Sequence, residues 1–198
     1  MMLGCSTDEI MRASRIVIDG GVVVYPTDTV YGVGCDPFND KAVQRVYDIK
    51  ERKENPLPVL CNSMDSIARL VDIGTKGYQI GESFWPGPLT IVAPLKNSRI
   101  PSILTSGKES LAVRIPNLRC TLDLITACGG HLVGTSANRS GAPTPVTAQD
   151  VKAVLDGYDV IVDGGETNLK MESTIIEVID DGIKILREGS LSINMLGI

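Results

Sequence analysis

The stretch Val22-Val23-Val24-Tyr25-Pro26-Thr27-Asp28-Thr29-Val30-Tyr31-Gly32 decides how the rest of the chain is read. Its first four residues are apolar, rich in β-branching and closed by proline, which predicts a short buried strand. Three hydroxyls and a carboxylate then gather just past the strand end, where open α/β sheets place their ligands. The same residues could equally form a turn whose Thr and Asp side chains bond their own backbone.

Working outward, the pattern alternates. Upstream, Thr7 can cap a helix to about Asp19, with Ile10, Met11, Ser14, Val17 and Ile18 on its inner side and Gly20-Gly21 ending it. Downstream, Asn39 or Asp40 caps a helix carrying Ala42, Val43, Val46 and Tyr47, and residues 57–61 form a strand beyond Pro56. Ser63 caps a further helix, and another over about 75–84 ends at the Trp85-Pro86-Gly87-Pro88 corner. Strands are expected at 89–93, 111–115, 132–135 and 160–162, with helices at 117–128 and, behind a Thr147/Asp150 capping box, to Leu155. A hairpin over 174–179 and 183–187, turning at Asp180-Asp181-Gly182, closes the list. Strands alternating with helices but ending in a hairpin predict one α/β domain over 1–198, a mixed twisted sheet with helices packed on it.

Composition narrows the function classes. The chain has 198 residues and a net charge of −5, with 4% aromatics, so no global basic field or row of stacking rings attracts nucleic acid. One histidine, His131, leaves no imidazole-rich metal site, and no acidic partner for a catalytic triad stands near it in sequence. The five cysteines are odd in number and none forms C-x-x-C, which argues against zinc and against a disulfide framework and points to a reducing cytoplasm. MMLGCSTDEI lacks the basic and apolar regions of a signal peptide, and no apolar run approaches a membrane span.

No P-loop motif occurs, and Gly32-Val33-Gly34-Cys35-Asp36-Pro37 has neither the third glycine nor the helix of a dinucleotide fingerprint. Other clusters do offer chemistry. In Lys50-Glu51-Arg52-Lys53-Glu54-Asn55-Pro56, Lys50 and Arg52 at i and i+2 would face one anion once the chain is extended. A solvated helix end serves the same residues. Gly134-Thr135-Ser136-Ala137-Asn138 follows an apolar strand and presents Ser136 and Asn138 on one side, or an Asx turn. Arg114 interrupts an apolar strand, so it requires an acidic partner or an anionic ligand.

In this order, PTDTVYGVG, K-x-R-x-x-N-P-L, W-P-G-P-L-T, A-V-R-I-P, TSANRSG, E-S-T and R-x-G resemble the YrdC family of threonylcarbamoyl-AMP synthases, over about residues 9–190. The resemblance implies a YrdC-like fold and synthesis of threonylcarbamoyladenylate and pyrophosphate from L-threonine, bicarbonate and ATP with Mg²⁺. It also implies a separate transferase that completes a tRNA adenosine modification. Lys50, Arg52, Ser136 and Asn138 match the family's basic-and-polar tetrad around ATP, and Asn55, Ser110, Thr144 and Arg187 match further nucleotide contacts. Thr29, Arg114 and Ser173 match the threonine site, with Arg114 on the carboxylate. No zinc or haem is implied.

Two departures stand out. Many members have proline where this chain has Lys53, with one more residue before the asparagine, and a histidine where it has Leu60. Longer members also carry a C-terminal domain for which this chain has no room. The competing class is a module for tRNA or double-stranded RNA, read from Lys41, Arg45, Lys50, Arg52 and Lys53, though the net charge predicts weak binding. A synthase of carbamoyl-adenylate from another donor, as in hydrogenase maturation, is chemically close to the first reading.

Overall fold

The computed structural model describes residues 1–52, 55–179 and 182–196. Lys53 and the Asp180-Asp181 turn, both singled out above, lie outside the described residues. The chain runs β1 (Met2–Leu3), α1 (Thr7–Ile18), β2 (Val23–Tyr25), β3 (Gly32–Gly34), α2 (Asp40–Lys50), β4 (Val59–Cys61), α3 (Met64–Ala68) and α4 (Gly74–Phe84). It continues through β5 (Leu89–Pro94), α5 (Ser102–Thr105), β6 (Ser110–Arg114), α6 (Arg119–Ala127), β7 (His131–Val133) and β8 (Thr135–Ser136). It ends with α7 (Ala148–Val154), β9 (Val160–Val162), β10 (Thr174–Ile179), β11 (Gly182–Arg187) and a 3₁₀ turn, Ile193–Leu196.

The mixed α/β class holds, but the strands divide into two sheets. One has the order β1-β9-β2-β3-β8 and the other β11-β10-β5-β6-β4-β7. Both are mixed: β2 runs parallel to β9 and antiparallel to β3, and β5 runs parallel to β10 and antiparallel to β6. The chain crosses between the sheets at Gly134, which separates β7 from β8 and splits the single strand expected over 132–135. A Cβ there would stand 2.4 Å from Leu60 Cγ and 2.9 Å from the Tyr25 hydroxyl, so only glycine permits the crossing.

Period-two alternation assigns the faces of the second sheet. Leu89, Ile91, Leu111, Val113, Val59 and Cys61 point into the main apolar core or pack along it. Thr90, Val92, Ala112, Arg114 and Leu60 point the other way, into the space between the sheets. The helices cover the outer faces, where burial of their apolar stripes holds the layers together.

Helix ends follow the expected chemistry in part. Asn39 and Ser63 accept from the backbone N–H groups of Ala42 and Ser66, and Thr147 with Asp150 forms the capping box. Helix α1 differs: Ser6, not Thr7, is the cap residue, and its hydroxyl goes to Glu9 instead of the backbone. Its buried face is Ile10, Ala13, Ser14 and Val17, while Met11 and Ile18 are exposed. The apolar pair at the stripe's margins drew the expected face too wide. Among the described residues, no helix is long and apolar enough to cross a membrane.

The cysteines require a correction. Cys5, ahead of α1, is disulfide-bonded to Cys120 in the first turn of α6, across 115 residues of sequence. Packing of α1 against α6 brings them together, and no local spacing could reveal that. Cys35 and Cys61 remain buried thiols, whose ionisation burial pushes strongly upward.

Candidate active site

A cavity of about 400 Å³ lies between the two sheets. Its walls come from the strand-end loop Thr27–Gly32, from Thr135 and Ser136, and from the inward positions of the second sheet. The sequence signals that looked like separate turns are therefore opposite walls of one space.

The inner end is built on Arg114. Its Nε donates to Gly87 O at 2.9 Å, its Nη1 to Thr29 Oγ1 at 3.0 Å, and its Nη2 to Asp28 Oδ1. The strand arginine thus has its acidic partner, and that partner sits in the opening stretch of sequence. Thr29 and Thr27 share a 2.8 Å hydroxyl contact, and Thr27 also donates to Val30 O at 2.6 Å, which fixes the loop. Ser173 pairs with Thr90 at 2.8 Å. Leu60 is the register partner of Arg114 on the adjacent strand and walls the cavity beside it. Burial pulls the Arg114 guanidinium below its usual range, and Asp28 opposes that shift.

The outer end carries different cations. Arg52 donates to Asn55 O at 3.2 Å, to Pro56 O at 3.2 Å and to Thr135 Oγ1 at 3.4 Å, all neutral acceptors. Lys50 is 1% exposed and stands behind the wall. Its Nζ donates to Ser136 O, to Asn138 O at 2.7 Å and to Asn138 Oδ1 at 3.3 Å. Ser136 Oγ donates to Asn138 Oδ1 at 2.7 Å, which completes the tetrad. Arg187, by contrast, is ion-paired with Glu172 and also donates to Ser173 O. Among the described residues, no carboxylate stands within ion-pair distance of Lys50 or Arg52.

Of the expected site residues, Thr29, Arg52, Asn55, Arg114, Ser136, Ser173 and Arg187 line the cavity. Thr144 lines an adjoining outer pocket that shares Val30, Glu172 and Arg187 with the cavity. Lys50 and Asn138 act from behind the wall. Ser110 is not brought to either pocket: it sits at the opposite end of β6 from Arg114, paired with Pro94. His131 is structural, with Nε2 3.0 Å from Ser66 O and its ring edge-on to Phe38.

The proposed basic cluster does not form one open face. Lys50 is buried, and Arg45 is tied to Asp159 and Gly157 O. Sequence reasoning left Asp28, Thr90 and Glu172 out of the site. All three stood inside quoted motifs, Thr90 as the last residue of W-P-G-P-L-T and a lone polar residue on an apolar strand.

These features define an α/β domain that encloses a polar-lined cavity between two sheets, with Arg52 on neutral acceptors at one end and Arg114 paired with Asp28 at the other. The chain belongs to the Sua5/YciO/YrdC family, whose model, described as telomere recombination, matches residues 15–189. It is 36% identical over 186 residues to a threonylcarbamoyl-AMP synthase of Pyrococcus abyssi, covering 92% of this chain and 54% of that protein. A Bacillus subtilis threonylcarbamoyl-AMP synthase is 36% identical over 196 residues, covering 96% and 56%. The chain thus spans about half the length of these curated relatives. The crystal structure of P. abyssi Sua5 complexed with L-threonine superposes with a TM-score of 0.95 at 32% identity, over 99% of this chain and 59% of that one. E. coli YciO shares the fold, with a TM-score of 0.87 over 96% of this chain and 95% of its own, at 24% identity.

Proposed function

We propose that this chain converts L-threonine, bicarbonate and ATP into L-threonylcarbamoyladenylate and pyrophosphate. The observation that carries the reading is the division of cations around the cavity. Lys50 and Arg52 have only neutral partners among the described residues, whereas Arg114 at the inner end holds a carboxylate. A triphosphate belongs at the first end, since unneutralised cations gain most from a polyanion. An amino acid belongs at the second, beside Arg114, Thr29 and Ser173. The names of the relatives and the threonine complex of P. abyssi Sua5 support the same reaction.

The chemistry asks for enclosure and positioning. The threonine amine, once deprotonated, forms a bond to the carbon supplied by bicarbonate, and water leaves to give a carbamate. One carbamate oxygen then attacks the α-phosphorus while the bond from that phosphorus to the pyrophosphate oxygen breaks. Carbamate is short-lived in water, so a closed cavity that holds it against the phosphate is the main requirement. Displacement at phosphorus is served by cations and hydrogen-bond donors aimed at the oxygens, with no histidine base.

Mg²⁺ would arrive with the nucleotide. Among the described residues no cluster of three or more His, Cys, Asp or Glu side chains is arranged to hold a metal, and Glu172, on the cavity wall, is engaged by Arg187. The donor set fits an ion kept on the phosphates and water, where it would offset phosphate charge. The product would pass to a transferase that modifies tRNA. Direct tRNA binding would be weak and salt-sensitive, because the basic residues are dispersed and the net charge is −5.

The test is pyrophosphate release with each substrate omitted in turn. Release that requires threonine and bicarbonate together supports the assignment. Equal release without threonine overturns it in favour of a simple ATPase, and adenylate formation from a carbamoyl donor supplied in place of threonine and bicarbonate would redirect it.

A further inference from the structure

Asp28 lies behind the cavity wall, yet it decides the charge of the inner end. Its side chain is 6% exposed, as is that of Arg114, and the two form a buried ion pair. Only Oδ1 of Asp28 is used: Oδ2 is buried with no hydrogen-bond partner. A buried pair repays its desolvation only when the remaining lone pairs are satisfied, so this one is a poor device for stability. Its plain consequence is electrical. The guanidinium that faces the ligand carries a charge already cancelled by a carboxylate in the next layer.

Proton accounting gives the inner end a definite pattern. Thr27 Oγ1 donates to Val30 O and accepts from the backbone N–H groups of Thr29 and Val30, so its proton and both lone pairs are spent within the loop. Thr29 Oγ1 accepts from Arg114 Nη1, which leaves it one lone pair for a ligand. Arg114 has five N–H groups, of which three are spent on Gly87, Thr29 and Asp28. Two N–H groups of Arg114 and one lone pair of Thr29 are therefore unspent, on residues that line the cavity, beside an ion pair that is neutral as a whole. That is the complement of an α-amino acid zwitterion, with carboxylate on the guanidinium and ammonium on Thr29.

We propose that Asp28 is a specificity-determining residue, which admits a carboxylate to Arg114 only when the ligand brings its own ammonium. The proposal rests on the assignment of threonine to this end of the cavity. A ligand with the carboxylate alone would place an unbalanced negative charge near Asp28. At an effective dielectric constant of about 20 and separations of roughly 6–8 Å, one such charge changes affinity about 30- to 100-fold. The second arginine pair, Arg187 with Glu172, is also neutral and does not offset this, while Arg52 serves the other end.

The experiment is calorimetric titration of the wild-type chain and of Asp28→Asn with threonine and with 3-hydroxybutyrate, which keeps the carboxylate and hydroxyl but lacks the ammonium. Wild type should prefer threonine by at least about 30-fold, and Asp28→Asn should shrink that ratio about tenfold or more, mainly by tightening 3-hydroxybutyrate. A purely structural role would weaken both ligands alike and leave the ratio unchanged, which overturns the proposal. If Asp28→Asn does not fold, threoninamide on the wild type decides. A neutralised guanidinium predicts that threoninamide, which keeps the ammonium, binds more tightly than 3-hydroxybutyrate, and the reverse order overturns the idea. If wild type binds no threonine at all, the assignment of the site itself fails and takes the proposal with it.

Discussion

Lys50 Nζ lies 2.7 Å from the carbonyl oxygen of Asn138, although 88 residues separate them. The last turn of α2 is thereby bolted to the segment after β8, and the lysine organises Ser136 and Asn138 from behind the wall. Its charge is felt in the cavity, but its hydrogen bonds are spent on protein acceptors.

This placement gives a pH dependence. Burial pushes the Lys50 ammonium down to about 8, the Arg52 charge adds to the effect, and Glu172 opposes it. The unfolded lysine holds its proton to about pH 10.4, so between roughly 8 and 10.4 the unfolded chain binds more protons. Lys50 therefore adds stability that grows with pH across that window and is flat below it. ATP affinity should move the opposite way, falling about tenfold or more from pH 7 to pH 10 as the cation is lost. Unchanged ATP affinity across that range would remove Lys50's charge from the nucleotide end.

The two ends of the cavity should separate by mutation. Loss of one hydrogen bond to a charged group is worth about 1.5–3 kcal/mol, or about 10- to 100-fold in affinity. Arg52→Ala should weaken ATP binding by that amount and leave threonine binding largely intact. Arg114→Ala should do the reverse, with some loss of stability because Asp28 is left as an unpaired buried charge. Calorimetry on folded variants checks both, and equal loss of ATP in the two variants would place Arg114 in the nucleotide site.

The Cys5–Cys120 link predicts a redox-dependent stability. In the chain-entropy account, a cross-link closing a loop of roughly 100 residues stabilises by up to about 5 kcal/mol. Urea unfolding with and without dithiothreitol should show a lower midpoint when reduced. Alkylation mapped residue by residue reports the same bond, because Cys35 and Cys61 are buried and burial pushes the ionisation of all three free thiols, half-buried Cys128 included, well upward. Coincident unfolding curves, with Cys5 and Cys120 both alkylated before reduction, would contradict the link.

Much of this was legible from the chain alone, and the failures have local causes. Buried strands such as Val160–Val162 and caps such as Asn39 and Thr147 announce themselves by composition and spacing. Gly32-Val33-Gly34 did not, because glycine in a strand imitates a loop. Its reason is tertiary: a Cβ on Gly34 would stand 1.6 Å from Val133 O, where the first sheet meets β7. Gly34→Ala should therefore cost several kcal/mol and show it as a large fall in Tm, whereas a neutral result would mean the two sheets are not so closely joined. The split into two sheets was hidden for the same reason, since a single residue, Gly134, turns the chain between them. In the site, motif order located most of the lining residues, but pairing could not be read. Nothing in the sequence says that Arg114 meets Asp28 while Arg52, among the described residues, meets only neutral groups.

The most direct measurement is mass spectrometry of the product formed from ATP, threonine and ¹³C-bicarbonate. The proposed reaction yields threonylcarbamoyladenylate carrying the heavy carbon, with pyrophosphate released in equal amount and no product when threonine is withheld. Pyrophosphate or phosphate formed without threonine, or an adenylate lacking the label, would contradict it.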